Sequence, residues 1–191
     1  HLPVSMNIWF NDLVYGDSSI VISEIMVNPA SVSDSYGEWF ELINVSIDQI
    51  DLNGWIIKDS QDNQHIIDNS ENSLWILPGE YLVLTRNDNS ASNGGVVGDY
   101  TYSGISLSNS EDAITLINDQ GAIVDQVEYN SDWPFSSGVS MELHDVLSQN
   151  NDIVNWFSAV RSYGDGDLGT PGLSYNDTLN IYFYEKIPER F

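Results

Sequence analysis

"GEWFELINVSIDQIDLNGWIIKDS" runs from Gly37 to Ser60. In its first half Trp39, Glu41 and Ile43 alternate with Phe40, Leu42 and Asn44. A period of two marks a strand whose successive side chains point to opposite faces of a sheet. The same period recurs along the chain. In "SIVISEIMVN" (19–28), Ile20, Ile22, Glu24 and Met26 alternate with Val21, Ser23, Ile25 and Val27. "GWIIKD" (54–59), "YLVLTR" (81–86), "DAITLIND" (112–119), "AIVDQVEY" (122–129) and "VSMELHD" (139–145) follow suit. Each run is short, rich in β-branched or aromatic residues, and bounded by Gly, Asn, Asp or Pro.

Turn chemistry separates these runs. It lies at 28–37, 60–64, 77–80, 87–95 and 118–121, and Gly121 in "INDQGAIV" supplies the positive φ of a hairpin. Only "DIVNWFSAV" (152–160) carries a helical spacing, through Ile153, Trp156, Phe157 and Val160, and a short helix is expected there. About eight short strands with this punctuation predict an all-β sandwich or barrel.

Five Lys and Arg against 29 Asp and Glu give a formal net charge of −24. Phosphate contacts rest on Lys and Arg, so nucleic acid and anionic membranes are excluded as partners. The chain has no Cys, which removes disulfides and thiolate metal sites. An acidic, Cys-free, Asn-rich chain suits the exterior of a bacterium, extracellular or in the cell envelope. No apolar run reaches the length of a membrane span.

Catalytic motifs are missing: there is no nucleophile elbow, P-loop, dinucleotide fingerprint or H-E-x-x-H. His65 and His144 stand alone on strand-like runs and form no nucleophile–base pair. Glu38 and Glu41 are three apart, so alternation sends them to opposite faces. Glu24 and Glu41 fall among apolar residues and need partners, for which Arg86 and Arg161 are the candidates. A hydrolase with an acidic active site is the least favoured reading.

Calcium is the better chemical expectation. Asp165 and Asp167 alternate with glycine in "YGDGDLGTPG" (163–172), and hard cations take carboxylate oxygens. Asp59 with Asp62, and Asp88 with Asn87 and Asn89, compare with it. The alternative for every such loop is that Asp and Asn cap their own backbone. Tyr100, Tyr102 and Trp133 are candidates for a carbohydrate platform, with core packing as the alternative.

Taken in order, the phrases "SEIMVNP", "GEWFELINV", "LNGWIIKDS", "LPGEYLVLTR", "SLSNSEDAITLIND", "NWFSAV" and "GTPGLSYN" resemble the lamin tail domain in its bacterial form. The resemblance covers residues 18–176. It implies an immunoglobulin-like β-sandwich of about eight or nine short, mostly antiparallel strands, and no enzymatic activity. Residues 1–17 then form a lead-in, and 177–191 an extension or the start of a neighbouring domain. The resemblance also implies an accessory module of a secreted or envelope protein, which attaches to a protein or surface or acts as a spacer. A calcium-dependent carbohydrate-binding module, with a polysaccharide partner, is the alternative. Within this frame Asn53-Gly54 and Pro78-Gly79 make turns, and Asn109 caps exposed backbone. Only Lys58, Arg86 and Arg161 are basic within residues 18–176, and no heptad rod is present, so chromatin binding and filament assembly do not carry over.

Overall fold

The computed structural model describes residues 19–70 and 72–173. The lead-in 1–17 and the extension 177–191 lie outside the described residues. Twelve strands follow one another: β1 (Ile20–Met26), β2 (Trp39–Asn44), β3 (Ile50–Asp51), β4 (Ile56–Lys58), β5 (Gln64–Ile66), β6 (Trp75–Ile76), β7 (Tyr81–Thr85), β8 (Tyr100–Thr101), β9 (Glu111–Ile117), β10 (Ile123–Asn130), β11 (Met141–Leu143) and β12 (Trp156–Ser158). A four-residue helix, α1 (Asp34–Gly37), joins β1 to β2.

A six-stranded sheet has the order β12-β11-β1-β2-β7-β8, and a four-stranded sheet the order β10-β9-β4-β5. The small ribbon β3-β6 completes the set. Every pairing between these strands is antiparallel except β7 with β8. This is the immunoglobulin-like sandwich, all-β as its periods imply. The strand count exceeds eight or nine because two-residue pieces such as β3, β6 and β8 pair without any alternation long enough to read.

Between the sheets Phe40, Leu42, Ile57, Ile114, Leu116 and Val127 are buried in one core. Phe40 packs on Tyr102, with ring centroids 5.4 Å apart. Asp125 of β10 ties the layers together: its Oδ2 accepts from the Ile22 N–H at 2.7 Å and from the Asn150 amide. That Ile22 N–H is available because β11 pairs with β1 only at Glu24 and Ile25 and leaves the β1 edge open at Ile22.

The shift corrects the reading of β1. Strict alternation places Ile22 and Glu24 on one face. In the structure Ile22 opposes Leu42, a core residue, and Glu24 opposes Glu41 on the other face. The bulge at Ser23 turns the carboxyl out of the inter-sheet core.

Two further expectations change. Residues 152–160 form one 3-10 turn, Ile153–Asn155, and then β12, because Trp156 docks against Trp133 and donates from its ring nitrogen to the Asn150 carbonyl. Asn109 does not cap backbone. Its amide donates to Asp34, and Ser108 Oγ accepts from Ser110 and Glu111 instead. The turns hold: Gly54, Gly79 and Gly121 all have positive φ, and Asn118 Oδ1 closes the β9–β10 hairpin.

Candidate functional site

Directly opposed residues of paired strands point to the same face of a sheet. Glu142 on β11 opposes Glu24 on β1, and Glu24 opposes Glu41 on β2. Three carboxyls therefore stand in a row across the outer face of the six-stranded sheet. That face is not open to water, since Glu24, Glu41 and Glu142 are all buried. The closing segment, residues 161–173, covers them.

Among the described residues no arginine pairs with Glu24 or Glu41 in a salt bridge. Arg86 pairs with Glu38 on the opposite face of β2, at 3.0 Å. Glu38 and Glu41 thus serve separate clusters, as alternation requires. Hydroxyls and backbone amides satisfy the row instead. Glu24 Oε1 accepts from Ser140 Oγ at 2.5 Å and from the Thr170 N–H at 2.9 Å. Glu41 accepts from Ser23 Oγ and from the Gly172 N–H, each at 2.7 Å. Thr170 Oγ1 lies 3.0 Å from Glu24 Oε2 and 3.0 Å from Glu142 Oε1.

Burial, and next to it Glu142, push the Glu24 carboxyl up to about 8, while bonds from Ser140 and Thr170 oppose the rise. Burial and the adjacent Glu24 hold Glu41 well above the usual range. Burial also raises Glu142, against the Thr170 hydroxyl and the charge of Arg161. The cavity beside the row is about 110 Å³, lined also by Tyr81, His144 and Leu173. Small-molecule sites run to roughly 300–1,000 Å³.

The loop at 163–172 is a fastener. Asp167 is buried, and its carboxylate accepts from the Ala30 and Ser31 N–H groups and from Ser31 Oγ, at 3.0–3.3 Å. Asp165 is exposed, and its N–H donates to the Gly94 carbonyl. Asp59 accepts from Gln61 and Asn63 within its own turn, and Asn87 and Asn89 do likewise in theirs. Among the described residues no three His, Asp or Glu are grouped so as to hold a metal.

Two of the three aromatics named for a carbohydrate platform are core residues. Tyr102 lies against Phe40, and Trp133 lies against Trp156. Only an edge of Trp133 reaches the open groove of about 670 Å³ that Glu111, Glu128 and Asp152 also line. Tyr100 is half-buried, with its hydroxyl 2.8 Å from His65 Nε2.

A second surface escaped sequence reasoning. Ile56 opposes both Ile66 and Ile117, and Ile117 opposes Ile123. Four isoleucines thus cross the whole outer face of the four-stranded sheet. Ile66 and Ile123, at its ends, are 54 % and 63 % exposed. The next row, Gln64, Lys58, Thr115 and Gln126, is polar.

The sandwich, the bulged first strand and the buried carboxyls at "SEIM" and "EWFEL" are now in place. Residues 14–131 match the Lamin Tail Domain. The chain belongs to the lamin tail domain family. The match spans more than half of the 191 residues. Lamin tail domains are immunoglobulin-like and non-enzymatic as a family. No curated protein matches the chain. The matched span of this lamin tail domain ends before β11, so Glu142 and Thr170 lie beyond it. Among the described residues no helix is long and apolar enough to cross a membrane.

Proposed function

We propose that this lamin tail domain is a non-catalytic attachment module, working outside a bacterial cell and holding its host polypeptide to a protein partner. The isoleucine row carries the reading. Strands lie about 4.8 Å apart, so four of them set an apolar bar roughly 14 Å long, rimmed by polar side chains. An apolar centre with a polar rim is the anatomy of a protein interface. Isoleucines in register across four strands, the outer two exposed and the inner two half-buried, also differ from the scattered apolar residues of an ordinary surface. The extracellular setting rests on the acid-rich composition of the chain.

The test is the double substitution I66E/I123E. Both side chains are exposed, so stability should change by only about 0.5 kcal/mol. Attachment of the whole host polypeptide to its native cell surface should drop at least tenfold. Unchanged attachment would leave the domain as a spacer.

A further inference from the structure

We propose that one proton, shared through the Thr170 hydroxyl between Glu24 and Glu142, latches the closing segment onto the six-stranded sheet, and that the latch weakens as pH rises.

The count of hydrogens carries the argument. A threonine hydroxyl has one hydrogen and donates once, and an ionised carboxylate only accepts. Thr170 Oγ1 stands 3.0 Å from a carboxyl oxygen on each side. Both contacts are hydrogen bonds only if one carboxyl carries a proton and donates it to Thr170. Surroundings assign that proton to Glu24. Glu24 sits between two other glutamates, with Glu142 on one side and Glu41 on the other. Glu142 is closer to compensation, since Arg161 acts on it. The chain then reads Glu24 Oε2–H to Thr170 Oγ1, and Thr170 Oγ1–H to Glu142 Oε1.

The latch has three points on the closing segment: the Thr170 N–H and hydroxyl on Glu24, and the Gly172 N–H on Glu41. The titratable and charged groups around Glu24 come from every packed element. They are Glu41 from β2, Glu142 from β11, and Arg161 and Tyr163 from the closing segment. Tyr81 from β7, with His144 and Asp145 after β11, completes the ring. Of these only Arg161 is a permanent cation. Burial holds His144 below its ordinary value. Loss of the Glu24 proton leaves one Thr170 contact without a hydrogen and sets like charges side by side. Lifting the segment lets water reach both.

The sign follows from linkage. Glu24 is raised in the closed state, from 4.5 to about 8. Latching is therefore complete below about pH 4.5, weakens as pH rises, and reaches its floor once pH passes about 8. Between those limits each pH unit raises the opening constant by about tenfold at most.

The experiment is hydrogen exchange of the whole chain from about pH 5 to about pH 9, corrected for intrinsic rates. Protection of the amides of Gly169, Thr170, Gly172 and Leu173 should fall with pH and then level off, while amides of β9 keep theirs. In Glu24→Gln a neutral amide replaces the protonated acid and donates to Thr170 at every pH, so the fall of protection with pH should be much smaller there, what remains belonging to Glu41. Thr170→Val removes the shared hydroxyl and should leave the segment poorly protected throughout. If the Gln variant does not fold, the carboxyl carbon resonance of Glu24 in the unaltered protein decides. A midpoint above about 6 supports the latch, and one near the ordinary carboxylate value overturns it. Protection that does not change with pH, or that falls equally in Glu24→Gln, also overturns it.

Discussion

Replacing Arg86 by Met should destabilise the domain far more in alkaline than in acidic buffer. Arg86 Nη1 is 3.0 Å from Glu38 Oε2, which also accepts from the Leu107 N–H at 3.0 Å. The Glu38 side chain is 1 % exposed, and that of Arg86 is 22 % exposed. Burial pushes Glu38 up to about 7 even with the Leu107 N–H and Arg86 opposing it. Without Arg86 that opposition weakens and Glu38 rises further. Near pH 5 the carboxyl is neutral in both proteins. The substitution then removes one hydrogen bond and some stem packing, about 1 kcal/mol. Near pH 8.5 the unaltered protein holds a charged pair, and R86M must bury a lone charge or take up a proton. Breaking such a pair from one side costs about 3–5 kcal/mol, reduced here because Arg86 is part-solvated. A raised acid contributes stability that is present below its unfolded value and lost as pH rises through its folded value. R86M should extend that loss to higher pH. Urea unfolding followed by Trp fluorescence at both pH values measures it, and adding E38Q to R86M should abolish the extra alkaline cost. An R86M cost that is equal at the two pH values, or larger in acid, would refute the reasoning.

Other outcomes test the scaffold. Phe40→Ala empties the centre of the inter-sheet core, where Phe40 is fully buried against Tyr102, and should cost about 3–5 kcal/mol in urea unfolding. Gly95 and Gly121 both have positive φ, but only at Gly95 would a Cβ collide with backbone, that of Gly164. Gly121→Ala should therefore cost about 1–2 kcal/mol, and Gly95→Ala clearly more, by the same assay. Asp167→Ala strands the Ala30 and Ser31 N–H groups, and a loss of about 1–3 kcal/mol should appear with faster proteolysis of the 28–37 loop.

Much of this protein could be read from residue order. The period of two in "GEWFELINV" and its repeats marked the strands, because a sandwich strand cannot keep its core face except by alternation. Gly54, Gly79 and Gly121 marked turns, because few other residues take positive φ cheaply. The separation of Glu38 from Glu41 followed from spacing alone. The strand at Trp156–Ser158 was not legible, since Trp156 is placed by Asn150 and Trp133, and neither contact leaves a trace in local pattern. The parity of β1 was misread for a related reason. A one-residue bulge at Ser23 is invisible until β1 is set against β2.

The sequence alone determined the fold class, the family resemblance and the acidic, Cys-free surface chemistry, because these rest on composition and on intervals within single strands. The tertiary structure alone decided which residues meet. Glu142 on β11 reaches Glu24 and Glu41 from far along the chain, and the pair Ile56–Ile66 meets the pair Ile117–Ile123 only where β4 joins β9. Register between strands is set by loops, bulges and packing acting together. No single strand encodes its neighbour's offset, so both the buried carboxyl row and the outer-face isoleucine row exist only once the sheets are assembled.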